Sequence, residues 1–231
     1  MNIILTKEPK GVTIIQGFPG FGMVGSISTE YLLEHLETTL IGTVQVDEIP
    51  PMLAIHKGEL IPQIGLYYSE KFHIVILHFL VKGQDHEWLF AKIIQEIAVR
   101  LEAKEIISLE GVSGEETAQV FAYSNLEDKQ TELTKKGFPL LNESIILGVS
   151  AALFLQNVSI TAFFAMTKST LPDSTAAAEI IKALDKYLGL SVDYSPLYDR
   201  AKEFEDKIKE LLSKSQGASK EAEDSMLNYL G

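Results

Sequence analysis

The residues with most chemical potential lie in Gly17-Phe18-Pro19-Gly20-Phe21-Gly22-Met23-Val24-Gly25. An apolar run, Val12 to Ile15, leads into this stretch, and Ser26 to Leu36 leaves it with helical spacing. Glycines at this density mean that the backbone turns sharply or comes very close to something. Three readings stand side by side. In the first, Gly20-x-Gly22-x-x-Gly25 is a dinucleotide fingerprint that places an anion on the first amides of a helix. Asp47, about twenty residues further on, stands where that fingerprint asks for a ribose-binding acid. In the second, Gly17, Gly20, Gly22 and Gly25 serve a structural turn, with Gly25 letting the helix pack on the sheet. In the third, the turn is a surface used against another protein. The loop has no lysine, so it is not a P-loop.

Other constellations are weaker. Ser113, in Glu110-Gly111-Val112-Ser113-Gly114, misses the five-residue nucleophile-elbow pattern by one position. His78, Asp85, His86 and Glu87 lie close in sequence, but no two histidines stand one helical turn apart around a glutamate. No catalytic set, metal site or cofactor is assigned on these residues. Phe18 and Phe21 in the glycine turn, with Pro50, Pro51 and Met52 after the next strand, are apolar groups at strand ends. On a rigid rim they suit a protein–protein contact; folded inward, the aromatics belong to the core.

The elements that would position these groups alternate in type. Val12 to Gln16 reads as a buried strand, the next segment as a helix, and Leu40 to Val46 as a second strand, the length of a βαβ crossover. Pro50 and Pro51 cannot sit in mid-sheet. Met52 to His56 and Leu60 to Tyr68 flank a hairpin turn at Lys57-Gly58-Glu59, and Phe72 to Leu80 is a further strand. A helix from His86 to about Glu102 follows, capped by Asp85. Glu105 to Leu109 reads as a strand ending in a second glycine turn, Glu110 to Gly114. Gln119 to Tyr123 is another strand, Glu127 to Lys136 a polar helix, and Glu143 to Leu155 a mostly buried helix. Val158 to Ala165 is a strand, and Thr175 to Leu188 an alanine-rich helix. Ser195-Pro196 opens a last helix with Leu197, Ala201, Phe204, Ile208 and Leu211 along one seam.

The chain has 231 residues, no cysteine, and 32 acidic against 20 basic residues, a net charge of −12. Disulfides and thiolate chemistry are excluded, and such a surface repels nucleic acid and anionic membranes. The N-terminus shows no signal-peptide pattern and no run is long enough to span a bilayer, so the expected location is the cytoplasm. One domain, residues 1–212 including a C-terminal helix 195–212, is expected. Residues 213–231 then form a polar linker and an acidic tail that carries Met226, Leu227, Tyr229 and Leu230.

The glycine stretch resembles the opening signature of the proteasome assembly chaperone family, in its archaeal branch. Tyr31-Leu32, Ile41-Gly42, Pro50-Pro51, Gly58, Pro62, Leu171-Pro172-Asp173 and the Gly189-Leu190 to Ser195-Pro196-Leu197 entry to the last helix fit the same pattern, over about residues 10 to 212. The resemblance implies an α/β three-layer sandwich with a mixed, partly parallel sheet related to nucleoside-phosphorylase-like folds. It implies a non-enzymatic protein that homo-oligomerises and binds proteasome α-subunits or the core particle. Some relatives dock through a C-terminal hydrophobic–Tyr–any tripeptide. Here Tyr229 is followed by Leu230 and Gly231, so Leu230 stands in the place of that tyrosine.

Overall fold

In the computed structural model, residues 1–56, 58–114, 119–168 and 170–201 are described. The strands are β1 (Asn2–Leu5), β2 (Thr13–Gly17), β3 (Thr39–Gln45), β4 (Leu53–His56), β5 (Glu59–Pro62), β6 (Ile64–Ser69), β7 (Ile74–Phe79), β8 (Glu105–Ser113), β9 (Val120–Ser124) and β10 (Ile160–Thr167). The helices are α1 (Val24–His35), α2 (Glu87–Arg100), α3 (Glu127–Lys135), α4 (Gly148–Phe154) and α5 (Ser174–Leu188). Residues 195–201 are helical as well. Eight strands form one sheet in the order β1-β3-β6-β7-β2-β8-β10-β9, and β4 and β5 form a separate two-stranded ribbon.

The centre of the sheet is parallel: β2 pairs with β7 and β8, and β8 with β10. Both margins are antiparallel, through β6 against β3 and β7, β1 against β3, and β9 against β10. This is the mixed, partly parallel sheet that the sequence predicts. Helices cover both faces, which is why the central strands are apolar on both sides. On β7, Val75, Leu77 and Phe79 meet α2 and α4, whereas Ile74 and Ile76 meet the layer of α1 and α5. Ile14 and Ile15 on β2 divide the same way. Period-two alternation therefore feeds two cores from one strand.

Several elements differ from the sequence reading. The second glycine cluster, Glu110 to Gly114, is not a turn: β8 continues through Ser113. A Cβ on Gly111 would lie 2.1 Å from the carbonyl oxygen of Phe21, so this glycine permits close approach of the β2 loop. The apolar segment 143–155 is helical only from Gly148 to Phe154, and Ile145 and Leu147 ahead of it are exposed. Asp85 does not cap α2: the N-cap is His86, without a side-chain bond, and Asp85 has a positive φ of 68°. The βαβ expectation holds in order but not in adjacency. Strand β3 lies three places from β2, with β7 and β6 between them.

The last helix starts as expected, with Asp193 accepting from the Ser195 amide at 2.9 Å and Leu197 and Ala201 buried. Phe204, Ile208 and Leu211, the linker, and the tail residues Met226, Leu227, Tyr229 and Leu230 lie outside the described residues. Among the described residues, no helix is long and apolar enough to cross a membrane.

Candidate functional site

The parallel strands β2, β7, β8 and β10 send their following loops to one edge of the sheet. Strand β3 runs in the same sense, and β6 starts at this edge because it is antiparallel to β7. The glycine loop, Pro50-Pro51, the β4–β5 ribbon and the segments after β7 and β10 are thereby gathered on one rim.

The glycine loop is held by close contacts. A Cβ on Gly17 would lie 2.5 Å from the Gly25 carbonyl oxygen, and one on Gly25 would lie 2.6 Å from that of Leu109. The start of α1 thus rests directly on the ends of β2 and β8. Between them runs a 3-10 turn, Phe21–Met23, in which Gly22 has φ +62° and Met23 φ 50°. The Gly22 oxygen accepts from the Asp173 amide at 2.9 Å, and the Asp173 side chain caps α5 by accepting from the Ala176 amide at 2.8 Å. Two distant parts of the sequence signature, the glycine stretch and Leu171-Pro172-Asp173, are one hydrogen-bonded unit. Gly20 has no comparable constraint: it is exposed, its φ is −123°, and the nearest atoms to a Cβ there stand 3.8 Å away or more.

Phe18 lies in the core, 6% exposed, with its ring stacked on Phe79 at 3.9 Å and tilted against Phe90 at 5.0 Å. The core reading of this ring is the one the structure shows. Phe21 is half-buried, and Pro50 and Pro51 are exposed. Asp47 cannot serve the fingerprint. With β3 three strand spacings from β2, it stands about 14 Å away along the sheet, and its carboxylate meets the N-terminal ammonium at 3.4 Å.

A cavity of about 490 Å³ opens at this rim. Phe18, Phe21, Met23 and Val149 give it apolar walls, and Lys82, Glu87 and Glu110 supply charge. A second cavity of about 480 Å³ shares Phe21, Glu110, Leu147 and Gly148 with it. Glu110 accepts from the Ser150 hydroxyl and from Ser108 Oγ at 3.4 Å, and Ser108 is bonded by Gln16 Nε2 at 2.5 Å. Burial pushes the Glu110 carboxyl up to about 7, against the serine hydroxyls that lower it. His78, beside Thr29 Oγ1 at 3.3 Å, is pushed down to about 4 by burial and belongs to the core. Among the described residues, no three of His, Asp or Glu converge on a metal position.

The second feature of the rim is the β4–β5 ribbon. Its register pairs Leu53 with Pro62 and Ile55 with Leu60, so these four share one face. On that face Leu53 is 61%, Ile55 71% and Leu60 69% exposed, and Met52 beside them is 52% exposed. The sequence reading stopped at Pro50, Pro51 and Met52 and missed Leu53, Ile55 and Leu60. The available signal was apolar alternation beside a turn, which a sheet strand shares. It also missed Glu110, whose signal was an acid closing an apolar strand.

A model of the PAC2 family matches residues 14–212. An uncharacterized protein of Methanocaldococcus jannaschii is 27% identical over 207 residues, covering 86% of this chain and 84% of that one. Among solved structures, Pyrococcus furiosus PbaA, described as an archaeal homolog of proteasome-assembly chaperone, is 26% identical, with a TM-score of 0.83 over 97% of this chain and 98% of its own. Pyrococcus furiosus PbaB, described as an archaeal proteasome activator, shares the fold at 21% identity and a TM-score of 0.76, over 91% of this chain and 98% of its own. With the glycine loop, its Asp173 partner and strands β3 to β10 inside the matched span, the chain belongs to the PAC2 family.

Proposed function

We propose that this protein is a non-enzymatic chaperone or adaptor of proteasome assembly, which homo-oligomerises and binds proteasome α-subunits in the cytoplasm. The observation that carries the reading is the likeness to PbaA along nearly the whole chain. The chemistry of the rim favours it. Its distinctive exposed groups are aliphatic side chains, whereas acid–base catalysis needs converging titratable groups.

Two surfaces divide the work. The apolar face of the β4–β5 ribbon serves self-association. A lone two-stranded hairpin is marginal in water, and large aliphatics on one exposed face are stabilised by a cover. The α-subunits are met by the rim at Phe21, Pro50 and Pro51 together with the tail. The tail places Met226, Leu227, Tyr229 and Leu230 within five residues of an otherwise acidic segment. Such a cluster suits a docking peptide, with Tyr229 as the anchoring ring.

The test is an interferometry titration of α-subunits against the full chain and a chain lacking residues 226–231. Binding of the full chain and at least tenfold loss on truncation is the expected result. Equal affinity removes the tail as docking element and moves the contact to the rim. No binding by either form overturns the reading.

A further inference from the structure

The two glutamates of β8, Glu105 buried and Glu110 half-buried, use their oxygens differently. Glu105, 4% exposed, has both engaged. Its Oε1 accepts from Thr161 and Tyr187, and its Oε2 from Tyr187 at 3.1 Å and the Lys129 ammonium at 3.3 Å. An acid so satisfied holds the fold together. Glu110 lies on the opposite face of the strand, and both of its serine bonds fall on Oε1. Among the described residues its Oε2 has no hydrogen-bond partner, and it faces Gly20 at the cavity wall, 3.9 Å from where a Cβ would stand. The serines fix the carboxyl in place, and the free oxygen is left to something else.

The geometry points to a binding site in which Glu110 anchors a small organic cation: an ammonium, amidinium or guanidinium carried on an apolar stem. The cation's N–H groups would saturate Oε2 in a low-dielectric site, where a charge-assisted bond is strong. Its stem would lie against Phe18, Phe21 and Val149. The other two charged residues of the lining, Glu87 and Lys82, are of opposite sign, so Glu110 leaves the lining with a net negative charge. An anionic ligand such as a phosphate would meet an acceptor where it needs a donor. The volume of about 490 Å³ falls in the range of small-molecule pockets.

The chain path places the crevice where α/β sheets bind ligands. After β2 it leaves by α1 on one face toward β3; after β7 it leaves by α2 on the other face and crosses β2 to reach β8. The first turns of the two connections diverge at the carboxyl ends of β2 and β7, and a cleft opens between them. Burial favours the neutral acid, and a bound cation selects the carboxylate. Affinity therefore rises with pH through about 7 and levels off above.

This inference does not rest on the proposed chaperone role, and its test uses the full chain without proteasome subunits. Benzylamine, benzamidine and agmatine are titrated by calorimetry at pH 6 and pH 8, with inorganic phosphate and AMP as anionic comparisons. At least one cation is expected to saturate below about 1 mM at pH 8. It should bind about tenfold more weakly at pH 6, the loss of ionised carboxyl for a group titrating near 7. Glu110→Gln, nearly isosteric and checked by circular dichroism, should cost at least tenfold at pH 8 and abolish the pH dependence. No saturation by any of the three cations overturns the site. So does binding by Glu110→Gln within twofold of the parent, or preference for phosphate or AMP.

Discussion

The glycine loop after β2 and the β4–β5 ribbon stand on the same rim and treat apolar groups in opposite ways. In the loop, glycines bring backbone against backbone, Phe18 is stacked into the core, and two successive residues are held at positive φ. In the ribbon, three large aliphatics face outward from a hairpin that the main sheet does not flank. The loop is consumed by the fold, while the ribbon contributes little to the packing of its own chain. The comparison shows that motif density and functional surface need not coincide. The stretch richest in signature residues fixes the scaffold and the cavity wall, and the plainest segment beside it carries the exposed contact area.

The strongest way to break this contrast is Phe18→Ala. If the ring is core, urea unfolding should show a loss of about 3–5 kcal/mol; a loss under about 1 kcal/mol would return Phe18 to the rim. Gly22→Val comes next. A β-branched residue at φ +62° costs roughly 1–2 kcal/mol in backbone strain, and its Cβ would lie 2.9 Å from Thr167 Cγ2. A total near 3 kcal/mol is expected. Retained stability would mean that the loop is adaptable.

Glu110 sharpens the comparison through pH. Its carboxyl is raised from 4.5 to about 7 in the folded chain. Its contribution to stability is thus fully present below about pH 4.5 and is lost as pH rises through about 7. Glu110→Gln removes this term. Relative to the parent, the variant should gain about 3 kcal/mol between pH 4.5 and pH 8.5, measured by denaturant unfolding at each pH. A constant gap would show that the carboxyl is solvated.

The smallest effect on stability belongs to the ribbon. The triple change Leu53→Ser, Ile55→Ser and Leu60→Ser should alter unfolding by no more than about 0.5 kcal/mol. It should nevertheless shift the mass measured by light scattering toward the monomer. Unfolding of the chain by these changes would mean that the ribbon packs on its own body after all.

Much of the fold was legible because it is written in local patterns. The β7 run Ile74 to Phe79 lies inside the strand expected over Phe72 to Leu80, and α5 starts one residue before the helix expected over Thr175 to Leu188 and ends with it. Of the candidate site, the need for glycine at Gly17, Gly22 and Gly25 was legible, since a dense glycine cluster between strand and helix has few other uses. Gly111 was misread as a turn because sequence reports only the missing Cβ; whether that lack serves a bend or a close approach depends on Phe21, a residue ninety positions earlier. Asp47 failed for a related reason. Its spacing suits a fingerprint, but β6 and β7 enter between its strand and β2, and pairing between distant strands leaves no local trace.

The sequence by itself determined the type of most elements, the burial of the central strands, the absence of thiol chemistry and the signature that marks the family. Those follow from side-chain type and spacing, which act within a few residues. Only the tertiary structure decided which loops share a rim, that Phe18 turns inward while Leu53, Ile55 and Leu60 face outward, and that one Glu110 oxygen has no partner among the described residues. Each of these depends on what stands across a gap of tens of residues, and the packing of the two helical layers on the sheet fixes it.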